Sequence, residues 1–227
     1  MSEQEDGLLD KEAGRQTVVR LGFTLILLGY LMVWLPHSIA GLSFIGLEVG
    51  EWVKFLPQVR LGEIAADRNL FYLPPITLGL MLALWTTGWP NRRWQSWVVR
   101  GMAVMVAFLA FPAIEAVLDE GVDQWLARVL LIGLVVLVAA LIPLLDRLPG
   151  RSGANFALIA TISLAVIGLA LPTWAYLAVR PAVAQLFDQQ VGTGPGLWLN
   201  GIGHLLVAVA TLWLLSERRR LRPAPAG

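Results

Sequence analysis

Cysteine is absent from the 227 residues. That excludes disulfides, thiolate nucleophiles, zinc–thiolate sites and cysteine-ligated iron–sulfur clusters. Charge is scarce as well. Only 15% of residues are Asp, Glu, Lys or Arg, and the formal net charge is +1, whereas soluble domains run near about 25% charged. So even a balance offers no electrostatic case for nucleic acid. Lysine occurs only as Lys11 and Lys54. Arginine carries nearly all the positive charge, which, with abundant Ala, Leu and Gly, fits a GC-rich bacterial genome.

Chemical motifs are missing too. No G-x-x-x-x-G-K-[ST] phosphate loop and no H-E-x-x-H metal motif occurs. Gly41-Leu42-Ser43-Phe44-Ile45 fails as a nucleophile elbow at its fifth position. No catalytic residue, cofactor site or metal site is assigned on this reading, and the chain is not expected to be an enzyme.

What the chain has is apolar length. Hydrophobic residues make up 57% of it, and mean hydropathy is +0.68. One soluble core of this size cannot hide so much apolar surface; a lipid solvent removes the need. A membrane-spanning helix takes about 20 mostly apolar residues. Six stretches meet that requirement, at about 18–35, 71–89, 97–118, 125–145, 156–179 and 197–215. The expected fold is therefore all-α, a polytopic six-transmembrane-helix bundle over residues 18–216. A polar tail (1–17) precedes it and a basic, disordered tail (217–227) follows. The acidic N-terminus lacks a basic start and a clear cleavage site, so the first span reads as an uncleaved anchor.

Arginine sets the orientation. With the N-terminus inside, the inner segments hold Lys11, Arg15 and Arg20, then Arg92, Arg93 and Arg100, then Arg147 and Arg151, and finally Arg218, Arg219, Arg220 and Arg222. The outer segments hold only Lys54, Arg60, Arg68, Arg128 and Arg180. Both termini are expected in the cytoplasm, and the location in the cell (plasma or inner) membrane. Trp34, Trp85, Trp89, Trp94, Trp97, Trp125, Trp198 and Trp213 fall at or near the expected helix ends, where a half-buried indole keeps its N–H wet.

The outer loops are the elaborated ones. Over 40–69, Phe44, Ile45, Val49, Trp52, Val53 and Leu56 share a helical face opposite Glu48, Glu51, Lys54 and Gln58, which predicts an amphipathic helix lying in the outer interface. A shorter capping helix is expected within 180–196. Loop lengths do not support a three-plus-three inverted repeat of the transporter kind.

Ionisable groups within spans are costly and often functional. Glu115 and Arg128 are expected at similar depth on consecutive antiparallel helices, as a salt bridge or a proton site. Asn200 and His204 lie on one stripe of the last helix with Gly196 and Thr211, a pattern of interhelical packing or of a polar pocket. His37 and His204 also form the one conceivable haem-ligand pair. Pro112 and Pro172 are expected to kink helices 3 and 5.

Three functional classes follow, the third an intramembrane enzyme, which the missing motifs argue against. The first is an accessory, assembly or scaffold subunit of a membrane complex, its partners being the lipid bilayer, other membrane subunits or a second copy. The second is a small permease, or the membrane subunit of a transporter, with an outward-facing polar vestibule. A permease requires a polar path lined by Glu115, Asn200 or His204; a scaffold requires a dry core.

Overall fold

The computed structural model describes residues 3–37, 43–65, 67–91, 93–145 and 152–220. They form a helical bundle closed at one end by a small cap. Helix α1 spans Glu3–Leu31. The helix thus begins within the stretch expected to be a polar tail, and the chain leaves it before Trp34. Val33–Leu35 (β1) pairs antiparallel with Phe44–Ile45 (β2), Val33 opposite Ile45 and Leu35 opposite Phe44. The cap continues through α2 (Gly46–Val53), α3 (Pro57–Arg60) and a 3-10 turn, Arg68–Tyr72, whose entry is capped by the Asp67 side chain accepting from the Asn69 N–H at 2.8 Å.

Helix α4 (Leu73–Trp85) opens on Pro74 and Pro75, as expected for a first turn that has no use for those N–H groups. It is the central post of the bundle, packed against α1, α5, α7 and α8 and buried from Pro74 to Met81 without a break. α5 (Trp94–Ala107) runs into a 3-10 turn, Phe108–Ala110. The expected single helix over 97–118 is in fact two. Phe111 is extended and a separate α6 starts at Ile114. Pro112 ends the helix rather than kinking it, because the residue before proline is driven out of the helical region.

Helix α7 covers Val122–Leu145, α8 Ser152–Phe187 and α9 Pro195–Arg220. α8 passes through both Pro172 and Pro181, so the first part of the expected 180–196 loop is a continuation of this helix. At about 1.5 Å per residue, its 36 residues overshoot a hydrocarbon layer and reach into the cap. The expected basic tail lies outside the described residues from 221 onward.

Three helices are long and apolar enough to cross a membrane, at Val122–Leu144, Gly153–Phe187 and Pro195–Arg218; the apolar stretch Trp94–Ala110 is shorter. They expose large apolar side chains such as Met105, Leu130, Phe156 and Leu205, a surface suited to lipid rather than to water.

The first and last helices make the most extensive helix pair. A Cβ added at Gly22 would press on the Gly203 carbonyl, and one at Gly29 would collide with the Asn200 backbone. Gly22 and Gly29 are spaced by seven residues, as are Gly196 and Gly203, so the two pairs interlock along antiparallel helices. Small residues at such a contact let backbones touch, and dispersion and interhelical polar contacts replace the missing hydrophobic driving force.

The cap corrects one expectation. Val49, Val53 and Leu56 are fully buried among Tyr30, Trp34, Tyr176 and Val179. The apolar face of α2 therefore covers the end of the bundle instead of lying on lipid. The amphipathic period is real, but its apolar partner is protein.

Candidate functional site

A charge cluster lies where the cap meets the bundle. α2 supplies Glu51, with Lys54 at its C-terminal end. The 3-10 turn supplies Arg68 and Tyr72, the residue after α6 is Glu120, and α7 carries Arg128. Glu51 is the hub. Its Oε1 accepts from Arg128 Nη1 at 2.7 Å and from the Tyr72 hydroxyl at 2.7 Å, and its Oε2 accepts from Lys54 Nζ at 3.0 Å. Glu120 takes the remaining cations, with Lys54 Nζ at 2.6 Å and Arg68 Nη2 at 2.5 Å. Arg68 Nη2 also donates to the Gln124 carbonyl at 2.9 Å. The Arg128 guanidinium sits 4.4 Å above the Tyr72 ring, a cation–π contact strengthened by desolvation.

The electrostatics follow from those contacts. Burial pushes the Glu51 carboxyl up, but hydrogen bonds from Tyr72, Arg128 and Lys54, with the Arg128 charge, prevail and hold it at about 2. Hydrogen bonds from Arg68 and Lys54 lower Glu120. Burial opposes protonation of Lys54, yet Glu120 and Glu51 raise it above its usual value. The two carboxylates thus stay ionised, and Lys54 protonated, across ordinary pH. The cluster is a lock, not an acid–base pair poised to exchange protons.

Arg128 is only 1% exposed, and its Nε and Nη2 have no hydrogen-bond partner among the described residues, nor has the buried Tyr30 hydroxyl. Beside the cluster, a groove of about 510 Å³ opens between α2 and the start of α6, walled by Phe44, Trp52, Phe55 and Phe111 with Glu51, Lys54 and Tyr72 at its edge.

The expected Glu115–Arg128 bridge does not form. Glu115 is exposed on α6, while Arg128 is held by Glu51 from the cap. The Pro112 break explains it. It places Glu115 on a separate short helix and leaves Arg128 to a carboxylate 77 residues away in sequence. Glu51, Lys54, Arg68, Tyr72 and Glu120 were missed as a site. The available signal was the Glu51/Lys54 spacing beside an arginine-bearing turn.

Asn200 and His204 are both fully buried. His204 Nδ1 lies 2.9 Å from the Asn200 carbonyl, and Nε2 lies 3.2 Å from the Thr77 hydroxyl. A carbonyl only accepts, so in the neutral ring Nδ1 carries the proton and Nε2 the lone pair. A Cβ at Gly168 would collide with Nε2, so backbone closes the ring's free edge. The Asn200 side chain has no hydrogen-bond partner among the described residues. His37 stands elsewhere, in the cap, against Phe187 at 4.7 Å between ring centroids and in contact with Gln189. The histidine pair does not fit a haem, because both His204 nitrogens are engaged and Nε2 has no room for iron. Among the described residues, no group of three His, Asp or Glu side chains is placed to hold a metal ion.

Comparison of the chain with protein-family models, with curated proteins and with solved structures finds no match.

Proposed function

We propose that the chain is a multi-pass membrane protein that serves as an accessory or scaffold subunit of a membrane complex, not as a conduit. The reading takes six crossings, formed by the apolar part of α1, by α4 and α5 with their flanking 3-10 turns, and by α7, α8 and α9. It puts the arginine-rich end, with both termini, in the cytoplasm of a plasma (inner) membrane and the cap outside. Its partners would be other membrane subunits or a second copy, within the bilayer.

The observation that carries this reading is the closure of the core at His204. The residues a permease would need along its path are either sealed by glycine-to-backbone packing (Asn200, His204) or out on the surface (Glu115). The charge cluster supports the same reading, since both of its carboxylates are already engaged by cations and a passing proton would have to displace them.

The absence of cysteine makes the test direct. Single Asn200→Cys, Thr77→Cys and Gln190→Cys variants are exposed to a membrane-impermeant maleimide in intact cells and in inverted vesicles. Gln190→Cys should label from outside only, and the other two from neither side. Labelling at residue 200 or 77 would sink the scaffold reading in favour of a permease with an outward-facing vestibule. Labelling of Gln190→Cys only in inverted vesicles would reverse the orientation.

A further inference from the structure

At the arginine-rich end, away from the charge cluster, a pocket of about 120 Å³ lies between α1, α4, α8 and α9. Its polar lining comes from Gln16, Thr87, Trp89, Thr161, Thr211 and Arg218. Three features mark it as more than a packing defect. First, a void left by imperfect helix packing is normally apolar and dry, whereas this one draws polar side chains from three of its helices and from the turn after α4. Second, Thr211 is fully buried, yet its hydroxyl has no hydrogen-bond partner among the described residues, and the same holds for the Thr87 hydroxyl. A buried threonine usually satisfies itself on the carbonyl one turn back; Thr211 does not. Third, the charged group in the lining is cationic, and among the described residues no carboxylate lines the pocket. The neighbouring acid on α9, Glu217, is engaged by Arg15.

Hydroxyl and amide groups beside a guanidinium are the donor set that recognises an oxyanion. We propose that this pocket binds a phosphate-type oxyanion, held by Arg218 at the mouth and by the Thr211 and Thr87 hydroxyls inside. At roughly 10–15 Å³ per water-sized sphere, the pocket admits one oxyanion with its residual water. The anion has two possible sources, free phosphate or the headgroup of an anionic phospholipid. The pocket is independent of the scaffold reading, because the free-phosphate arm needs no assumption about which side of a membrane it faces.

The test measures thermal unfolding of the full chain in detergent with inorganic phosphate against chloride at equal ionic strength, then in nanodiscs of phosphatidylglycerol against phosphatidylcholine. Phosphate should raise Tm where chloride does not. Thr211→Val, which removes the hydroxyl at nearly constant shape, and Arg218→Gln should each weaken the response about tenfold, the loss of one hydrogen bond to a charged ligand. Thr173→Val, in the opposite half of α8, should leave it unchanged. Phosphatidylglycerol protecting beyond phosphatidylcholine, with free phosphate competing, identifies a headgroup; equal lipids with protection by phosphate identify the free anion. Arg218 is exposed, so its variant keeps the test alive if Thr211→Val fails to fold. Phosphate acting no better than chloride and phosphatidylglycerol no better than phosphatidylcholine, or both pocket variants responding like the wild type, overturns the proposal.

Discussion

The two ends of the bundle are held by different means. At the cap end, three cations and a tyrosine from the end of α2, the 3-10 turn and α7 converge on Glu51 and Glu120. At the opposite end, Arg15 and Arg100 each serve a separate joint. Arg15 forks onto Glu217 and stacks on Trp213 at 4.5 Å. Arg100 reaches Thr86 at 3.0 Å and Asn91 at 2.9 Å, with its guanidinium 5.3 Å from the Trp97 ring centre. These contacts pair elements already adjacent: the two terminal helices at a backbone-to-backbone seam, and α4 with α5 across a short turn. The cap also comes close in backbone, at Gly46 against the Tyr30 carbonyl, and seats the apolar face of α2 on the bundle; the ionic hub adds a tie from α2 to α7, remote in sequence. The difference teaches that a single ion pair serves where two helices meet, and a shared hub where several elements meet at one carboxylate.

The sharpest way to break this contrast is Arg128→Ala. It removes a cation that is 1% exposed and leaves Glu51 short of its main partner. Breaking a buried pair by removing one member costs about 3–5 kcal/mol, so chemical unfolding in detergent should show a loss of that size, with the cap becoming protease-sensitive first. Gly29→Val attacks the other kind of joint. Its new side chain would meet the Asn200 backbone, which has no rotamer to give way. A loss of about 1–3 kcal/mol is expected, without the cap-first opening.

Acid should discriminate the two ends as well. Glu51 is held at about 2, from an ordinary 4.5, and Glu120 is also lowered. A depressed carboxyl stabilises the fold above its unfolded value, and that contribution is lost as pH falls through its folded one. Stability should therefore be level above about pH 4.5 on this account and decline towards pH 2. In Glu51→Gln the decline should be shallower; an unchanged acid profile would remove Glu51 as the hub.

Smaller effects are expected elsewhere. Glu217 is 36% exposed, so Glu217→Gln should cost less than about 1 kcal/mol, and the loss should shrink with added salt. Glu115→Gln should change stability by no more than about 0.5 kcal/mol, as for an unpartnered surface position. A large effect there would restore Glu115 to the site.

The long spans were legible because their cause is local in the chain. The apolar runs in α7, α8 and α9 are read off composition alone, and the structure has helices there. The run at 71–89 is ambiguous in the sequence: α4 is buried by the helices packed around it, and hydropathy cannot tell a neighbour's side chains from a lipid tail. Pro112 and Pro181 show the same ambiguity in the backbone, since one ends a helix and the other lies inside one. A proline removes one hydrogen bond in either case, and only the surroundings decide whether the helix survives it. For the site, Arg128 is buried, and it pairs with Glu51 where the sequence suggested Glu115. Nearness along the chain favoured Glu115, whereas the cap folds back to deliver Glu51.

By itself the sequence determined the helical class, the long apolar helices α7, α8 and α9 and the absence of cysteine. These are properties of composition and short-range periodicity, which any packing of the chain must respect. The tertiary structure alone decided which carboxylate holds Arg128, that Gly22 and Gly29 interlock with Gly196 and Gly203, that α2 turns its apolar face to protein, and that Asn200 and His204 are sealed. Each depends on bringing together residues far apart in sequence, and the energy of such a contact does not exist until the fold has formed.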